Sequence, residues 1–594
     1  MAIIFFLIVL GYFRHSGVVL LFIALAFVFT FPLLLNFNTM LLGAPGDNML
    51  WLELLGWYAK SYDMGFPKML NDTQVFYPLG HNIMHINGFS LDGFLAIPLI
   101  FLGGYIFAYN LISLLSLALS AFTAYLLAYE ATKSRLASIL GGVVFGFGTF
   151  QMVHALGHFS IFGPFWLPLF VLYLERTIKN PTPTRALLTG VFFVLTSITN
   201  GYLGVIAVLL LVIITVIHLL QTLLSTQRSK LKSYSLASWI RRVVPSLVAF
   251  AAPLLLLVPI FIYASAGAPK WTTSEFEFYS ADSIDYISPS MLNPVFGKTV
   301  LALRTFNYGN PVERSLFLGI IPLVLTIYAL MQKRDPLRIR YSLVALLFFI
   351  FSLGPILHVA DQNTGIQMPY AFLMTLPLLN FARVVSRFGV VPLLCVSLLS
   401  SIGLNDWLRR LSSKGISIRK QKAIGLFIIG LVIFEFYPGA YPFTDIEFYQ
   451  GGYPLTDPHL FDSSVYFWLS EQKGDFAILE YPVTHTDILA GYHVLISGKS
   501  TVSGLTNVPS KALSDYLLSV SFFQPDDKGN FSQPIDIPLL KKLNIRFILF
   551  HKDAYMAAFG EQTLIQALVL ANMTEGLRYI GDFDGTVVYE ITKI

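Results

Sequence analysis

The stretch "LISLLSLALSAFTAYLLAYEATKSRLASILGGVVFGFGTF" (Leu111–Phe150) decides the class of fold. It holds two long apolar runs joined by a short connection that carries Lys133 and Arg135. A helix needs roughly 20 apolar residues to cross the hydrocarbon core of a bilayer. About eleven runs of the chain approach this length, near 17–36, 105–129, 136–153, 157–176, 184–200, 202–222, 243–263, 315–331, 341–358, 385–406 and 423–438. A shorter run, 93–104, is interpreted as interfacial or re-entrant.

Composition also indicates an integral membrane protein. Of the 594 residues, 55% are hydrophobic and only 12% are charged, whereas soluble domains are about a quarter charged. The net charge of +5 comes from basic residues in short loops and gives no reason to expect a nucleic-acid partner. The one cysteine, Cys395, excludes an intrachain disulfide and a cysteine-based zinc site. The segment "MAIIFFLIVLGYFRHSG" lacks the basic region and cleavage site of a signal peptide, so we expect an interfacial segment or a helix extension.

The connections between the runs predict an orientation. One set is basic: residues 133–135, 176–185, 228–242, 333–340 and 409–422. By the positive-inside rule these loops and the N-terminus face the cytoplasm, so the protein is a multi-pass protein of the plasma membrane. The long first loop (37–104), the 264–312 and 359–384 loops and the C-terminal tail then lie outside. Glycosylation sequons at Asn71, Asn530 and Asn572 agree weakly with this topology.

The composition of the sequence changes near residue 439. Residues 1–438 are predicted to form the transmembrane domain. Beyond them the charge rises, and short β-like runs such as "FAILEYPV" and "IRFILF" alternate with helix-like stretches. This pattern predicts an extracytoplasmic soluble α/β domain over 439–594. We find no internal repeat, which counts against transporter folds built from two related halves.

Ionisable residues collect at the predicted outer ends of the spans. Such groups are costly at membrane depth, so their placement suggests function. The candidates for one extracytoplasmic site are Asp47, Glu53, His81, His85, Asp92, His154, His158, Arg383 and Arg387. The 264–312 loop adds Glu275, Glu277, Asp282 and Asp285, and Glu313 and Arg314 open the eighth predicted span.

Each candidate also has a structural interpretation. Asp47 precedes "NMLWLELLGW", which is predicted to form a helix. Asp47 could cap this helix, or it could be a catalytic carboxylate that the helix covers. His154 and His158 have the i, i+4 spacing that suits a divalent metal, but packing or a hydrogen bond to substrate would suit it equally. His81 and His85 share the spacing in a loop rich in Gly and Asn, where a helix is doubtful.

The two outer arginines and the acidic loop leave similar alternatives. Arg383 and Arg387 are one helical turn apart, and their planar forks match phosphate oxygens. Snorkelling to lipid headgroups is the rival interpretation. The acidic residues of the 264–312 loop are interpreted first as a solvated face, with sugar or metal binding as the alternative.

Several segments, in order, resemble the GT-C membrane glycosyltransferases, particularly the YfhO-like and RgtA/B/C/D-like proteins. They are "GDNMLWLELLGWYAK", "FYPLGHNIMHINGFSLDG", "LGGVVFGFGTFQMVHALGHFS", "YSADSIDYISPSMLNPVFG", "ERSLFLGIIPL", "FSLGPILHV", "LPLLNFARVVSRFG" and "LNIRFILFHKDAY". The resemblance implies a GT-C-like fold and an essential acidic residue in the first external loop, where Asp47 stands. It also implies a polyprenyl-phosphate sugar donor and an extracytoplasmic acceptor, which could be an envelope glycan, a lipid or a glycoprotein. Some GT-C groups carry a second acidic motif where this chain has His154 and His158, which puts a carboxylate-type metal site in doubt.

These expectations combine into one mechanistic hypothesis. Asp47 acts as general base in an inverting sugar transfer, and Arg383, Arg387 or both bind the donor phosphate. His154 and His158, with the remaining candidates, line the substrate site; no cofactor is certain, and a divalent metal is possible at the two histidines. The rival functions are a transporter or flippase for lipid-linked substrates and a non-catalytic envelope-assembly protein.

Overall fold

The computed structural model describes residues 15–86, 89–224, 236–265, 271–304, 308–332, 335–380, 382–439, 453–461, 463–506, 509–526, 529–531, 533 and 535–592. The N-terminal apolar segment, residues 228–235, the boundary region 440–452 and Ser532 of the second sequon lie outside the described residues.

Helices dominate the first part of the chain. They are α1 (Ser16–Phe29), α2 (Asp47–Ser61), α3 (Leu91–Thr132), α4 (Arg135–Gly146), α5 (Thr149–His154), α6 (Trp166–Lys179), α7 (Pro183–Thr199), α8 (Gly201–Leu224), α9 (Leu236–Leu254), α10 (Leu257–Ser265), α11 (Thr273–Phe278), α12 (Gly297–Leu303), α13 (Ile320–Met331), α14 (Pro336–Ser352), α15 (Tyr370–Leu373), α16 (Pro377–Asn380), α17 (Val390–Ser413) and α18 (Ile418–Phe436). Short strands lie among them: β1 (Leu41–Leu42), β2 (Asn71–Asp72), β3 (His81–Asn82), β4 (Ile356–Val359) and β5 (Gln362–Gln367).

Four helical segments in the described part of the chain are long and apolar enough to cross a membrane. They are Leu91–Thr132, Arg135–His154, Gly201–Leu224 and Val385–Ser413. A bent pair of helices, Val243–Leu254 with Leu257–Ala264, adds a fifth if the two are one span. The membrane character of the chain is thereby confirmed, whereas the count of eleven spans stays a prediction.

Several predicted runs differ from the helices observed. The run 157–176 becomes helical only at Trp166, because Gly163 and Pro164 interrupt it. The run 341–358 ends its helix at Ser352 and continues into strand β4. The stretch 93–104 is helical and belongs to α3, which breaks at Gly104, where φ is +83°.

Small residues let the central helices approach one another closely. A Cβ placed on Gly146 of α4 would lie 2.4 Å from the Ala121 side chain of α3. A Cβ on Gly141 would lie 2.4 Å from the Ser401 hydroxyl of α17. Close backbone contact of this kind is how helices associate in lipid, where the hydrophobic effect gives little drive. The sequence "LGGVVFG" therefore seats α4 between α3 and α17.

The last part of the chain combines helices with one mixed sheet. Its elements are β6 (Leu455–Thr456), α19 (Ser464–Glu471), β7 (Ala477–Tyr481), α20 (Ala490–Ser497), β8 (Ser500–Thr501), α21 (Lys511–Ser519), α22 (Ile537–Lys542), β9 (Ile545–His551), α23 (Lys552–Phe559), α24 (Glu561–Met573), β10 (Leu577–Phe583) and β11 (Thr586–Ile591). The five-stranded order is β10-β11-β9-β7-β8, with β7 parallel to β8 and β9. The β-like runs thus form strands, while the boundary at 439 and the extracytoplasmic location stay predictions.

The first loop joins this sheet at its β8 edge. The Tyr77 amide donates to the Thr501 carbonyl at 3.0 Å, and the Thr501 amide donates to the Gln74 carbonyl at 2.8 Å. Helix α20 covers α2, since a Cβ on Gly491 would lie 1.8 Å from the Glu53 side chain. Helix α2 is consequently buried along most of its length between the transmembrane helices and the tail.

Two carboxyl groups are buried together beneath this contact. Glu53 and Asp72 are 2% and 0% exposed, and Asp72 pairs across the β2–β3 ladder with His81. Burial, and then the nearby Asp72 carboxyl within hydrogen-bonding reach, raise the pKa of Glu53 well above its usual value. The protonated form of Glu53 is therefore favoured in the folded protein.

This pair predicts how stability depends on pH. An unfolded Glu53 ionises above a pKa of about 4.3, whereas the folded one retains its proton, so folding becomes less favourable as pH rises above that value. Glu53→Gln keeps a donor for Asp72 without the ionisation. We expect its Tm to exceed that of the wild type at pH 8, with the difference shrinking at pH 4. The measurement is thermal unfolding in detergent, with the exposed Glu471→Gln as the control. A lower Tm for Glu53→Gln at pH 8 would contradict the raised pKa of Glu53.

Candidate active site

The loop that carries Asp47 is held by backbone hydrogen bonds from three directions. The Leu42 amide donates to the Asn110 side chain of α3 at 2.9 Å. The Gly43 amide donates to the Pro454 carbonyl and the Ala44 amide to the Leu156 carbonyl, each at 2.9 Å. Glycine is required at position 43, because φ is +108° there and a Cβ would lie 2.3 Å from the Leu156 oxygen.

Asp47 opens helix α2 without capping it. Gly46 is the N-cap residue, and no capping hydrogen bond from a side chain is seen in the described part of the chain at this end. Asn48 instead anchors the turn, with its buried amide donating to the Thr456 hydroxyl at 2.7 Å. The Asp47 side chain stays 49% exposed and lies 3.5 Å from Nε2 of His158. It therefore stands at the mouth of a polar cluster that is otherwise buried.

Glu313 is the centre of that cluster. Its side chain is 2% exposed and lies in the turn 311–314, before α13. Arg387 donates to it from Nε at 3.0 and 3.2 Å and from Nη2 at 2.5 Å. His154 Nε2 approaches from the other side at 3.0 Å. In the sequence, Glu313 lies at the predicted outer end of a span, but the predicted site residues do not include it. That position is the sequence feature that points to Glu313.

The two histidines meet although their helix ends between them. Helix α5 stops at His154, but the His158 amide still donates to the His154 carbonyl at 2.8 Å, and the ring centroids are 5.2 Å apart. The Phe150 carbonyl accepts from His154 Nδ1 at 2.8 Å. Because a carbonyl oxygen can only accept, Nδ1 carries a proton, and Nε2 is the nitrogen that faces Glu313.

This arrangement fits a divalent metal. Ligand atoms from His154, His158 and Glu313 all lie within 4.8 Å of one another. Nδ1 of His158 is buried and has no hydrogen-bond partner within the described ranges. Two imidazoles and a carboxylate are a donor set typical of zinc, and a carbonyl that orients one imidazole is the usual outer support.

The electrostatics of the cluster follow from its burial. Burial lowers the pKa of His158 to about 3, with Glu313 opposing the effect, so this ring is neutral. Burial would raise the pKa of Glu313, but Arg387 and His154 outweigh it and hold that pKa well below the usual value. Burial also raises the pKa of Asp47, and Arg387 opposes this. Water reaches half of the Asp47 side chain, so this carboxylate is accessible from outside the cluster.

The two predicted phosphate ligands have different surroundings. Arg387 is bound to Glu313 and stacks over Tyr202 at 4.5 Å. Arg383 lies between the rings of Trp271 and Tyr279, at 4.3 and 4.7 Å, with Glu275 only at 3.8 Å. Its Nε is buried without a hydrogen-bond partner in the described residues. Arg383 therefore has more N–H groups left to bind an anion than Arg387 has.

The interpretation of the acidic loop as a solvated face is wrong for Asp282 and Asp285. Both are buried, at 0% and 1% exposure, in an ionic network with Arg304, Arg314 and Asp361. Arg314 Nη2 lies 2.7 Å from Asp361, and Arg304 Nη2 lies 2.9 Å from Asp285. These partners are distant in sequence, so local charge density could not indicate the pairing.

The other first-loop candidates lie apart from the cluster around Glu313. Glu53 belongs to the buried carboxyl pair beneath α20, and His81 lies on β3 opposite Asp72. His85 lies in the 3-10 turn Ile83–Ile86, so the helix doubted in the sequence is not formed there. Asp92 is 2% exposed in the first turn of α3. Of the predicted residues, the structure brings together Asp47, His154, His158 and Arg387, with Arg383 four positions before Arg387.

Solved structures of two other membrane proteins have a similar architecture. The structure is similar to the arabinofuranosyltransferase AftD from Mycobacteria, with a TM-score of 0.55 and 14% identity over 98% of this chain. The chain spans only 40% of the length of that protein. It is also similar to the Archaeoglobus fulgidus oligosaccharyltransferase, solved in the apo form (TM-score 0.50, 14% identity, 98% of this chain and 74% of that one) and in complex with Zn and sulfate (TM-score 0.51, 13% identity, 97% and 73%).

These neighbours are GT-C glycosyltransferases, and at such low identity the likeness confirms a GT-C-like fold and no more. No curated protein sequence matches the chain. Residues 18–426 match the family model described as "Domain of unknown function (DUF6311)". Since this match covers more than half of the sequence, the chain belongs to that family.

Proposed function

We propose that the protein is a membrane glycosyltransferase that moves a sugar from a polyprenyl-phosphate donor to an extracytoplasmic acceptor. The observation that carries the proposal is the accessible Asp47 carboxylate at the mouth of a buried cluster of Glu313, Arg387, His154 and His158. The fold shared with GT-C glycosyltransferases supports it. The clustering of these charges at one end of the helices favours surface chemistry over transport, which would use sites near the bilayer midplane.

In this proposal Asp47 is the general base. The bond from the anomeric carbon to the donor phosphate breaks while the acceptor oxygen bonds to that carbon from the opposite side. The hydroxyl proton of the acceptor passes to Asp47, and polyprenyl phosphate leaves with the bonding electrons. Trp51, Leu54 and Leu55 are buried on α2, the helix that Asp47 begins, so the accessible carboxylate is fixed to a packed element.

Arg383 is the proposed donor for the leaving phosphate. Its guanidinium is held in place by two aromatic rings and is 17% exposed. An apolar cavity of about 670 Å³, lined by Met368, Phe372 and Met374, also borders α11, the helix whose Glu275 faces Arg383. This neighbourhood suits a phosphate attached to a long prenyl chain.

His154, His158 and Glu313 would hold a divalent metal, which when bound would stabilise negative charge on the phosphate. Arg387 keeps the Glu313 carboxylate ionised and oriented in this scheme. Asp47 keeps its role as proton acceptor.

The first prediction concerns Asp47. Asp47→Asn removes the proton acceptor while preserving shape, so transfer from radiolabelled polyprenyl-phosphate sugars should fall at least about 100-fold, the lower end for a general base. The control is Asp63→Asn, an exposed carboxylate just beyond α2 that should leave activity unchanged. Full activity in Asp47→Asn would remove Asp47 from the mechanism.

The second prediction separates donor binding from chemistry. Arg383→Gln removes a charge-assisted hydrogen bond, so the KM for the donor should rise about tenfold or more. Lys298→Gln, an exposed cation in the same external loop as Trp271, serves as the matched control. An unchanged donor KM in Arg383→Gln would refute phosphate binding there.

The third prediction concerns the metal. His158→Ala should lower the amount of Zn²⁺ retained per protein after dialysis, because one of three ligands is lost. His485→Ala in the tail is the control, and metal content by mass spectrometry is the measurement. Equal zinc retention by both variants would argue against a metal at this cluster.

A further inference from the structure

A second charged cavity lies toward the C-terminal end of α3, far along that helix from the Asp47 loop. On α3, Asn110 binds the Asp47 loop, and Glu130 follows twenty residues later on the same helix, beyond its break at Gly104. At 1.5 Å per residue the two are about 30 Å apart, which is the thickness of the hydrocarbon core. Glu130, Tyr173, Arg176, Lys179 and Arg185 line a cavity of about 340 Å³ at that end.

Cations outnumber carboxylates around this cavity. Glu130 is engaged by Arg176 at 2.7 Å and by Lys133 at 3.4 Å. Glu175, just behind the cavity, is bound by Arg340 at 2.6 Å and faces Lys179 at 3.6 Å. The lining itself holds three cations (Arg176, Lys179 and Arg185) and one carboxylate (Glu130), so the cavity is electropositive.

Local structure holds these cations at the edge of the helices. Thr182 caps α7 by accepting from the Arg185 amide, and the Arg185 guanidinium donates to the Asn180 carbonyl at 3.1 Å. Lys179 ends α6 with 55% of its side chain exposed. Leu187, two residues after Arg185, is 41% exposed. The first turn and a half of α7 thus carry both a cation and an exposed apolar side chain.

We propose that this cavity binds the headgroup of an anionic phospholipid in the leaflet opposite the Asp47 site. Its phosphate binds Lys179 and Arg185, and its acyl chains extend along the helices that border the cavity. Basic cavities between transmembrane helices recognise lipid phosphates in this way. A zwitterionic headgroup would bring its own cation against the excess of basic side chains, so selectivity for a net negative headgroup follows. The site is independent of the proposed glycosyl transfer.

The test is native mass spectrometry of the purified full-length protein, titrated separately with phosphatidylglycerol, phosphatidylcholine and inorganic phosphate. We expect tight retention of phosphatidylglycerol over phosphatidylcholine. The variant Lys179→Ala/Arg185→Ala should weaken that retention at least about tenfold, because each lost charge-assisted hydrogen bond is worth a decade or more. The charge-preserving Lys179→Arg/Arg185→Lys should restore it.

The matched control is Lys414→Ala/Arg419→Ala, two exposed cations of another basic connection, which should retain the lipid like the wild type. Thermal unfolding in phosphatidylcholine verifies that each variant is folded. Equal phosphatidylglycerol affinity for the wild type and Lys179→Ala/Arg185→Ala would overturn the proposal. Binding of inorganic phosphate as tight as that of the lipid would overturn the assignment to a phospholipid.

Discussion

The buried ion pair between Glu313 and Arg387 is the interaction on which the candidate site depends. A carboxylate at 2% exposure without a partner would cost several kcal/mol, roughly the penalty for an ion left unpaired in a protein interior. Arg387 offsets that cost with two donor nitrogens, and His154 approaches the remaining side. Because these groups come from the turn before α13, the 3-10 helix before α17 and the end of α5, the three parts must fold as one unit.

The position of Asp47 is fixed mainly by hydrogen bonds of the backbone and less by ion pairs. Hydrogen bonds to Asn110, Leu156 and Pro454 hold the loop against α3, the turn after α5 and the start of the tail. The tail therefore helps to build the site from its first described residues onward. The result is a carboxylate that is open to ligand beside a cluster that is closed to water, which is the combination that proton transfer requires.

Sequence reasoning succeeded where the relevant geometry was local. The spacing of His154 and His158 is one helical turn, and the rings meet even though the helix ends there. The same reasoning treated Arg383 and Arg387 as equivalent, whereas one is committed to Glu313 and the other is stacked between aromatic rings. The burial of Asp285 with Arg304 and Arg314 could not be predicted from the sequence. A charged residue in a loop is expected to be solvated unless a partner distant in the chain is known to pair with it.

The sequence by itself determined that the chain is a membrane protein and that its ionisable groups lie at the ends of apolar runs. It also determined that the last part of the chain contains both strands and helices. These properties are sums over neighbouring residues, since transfer free energy and periodicity are local quantities. Only the tertiary structure decided which acid is buried, which arginine is neutralised, and that Glu53 faces Asp72 instead of the site. Those outcomes depend on distances between side chains far apart in the chain, and the Coulomb energy that rewards or penalises them exists only once the helices have packed.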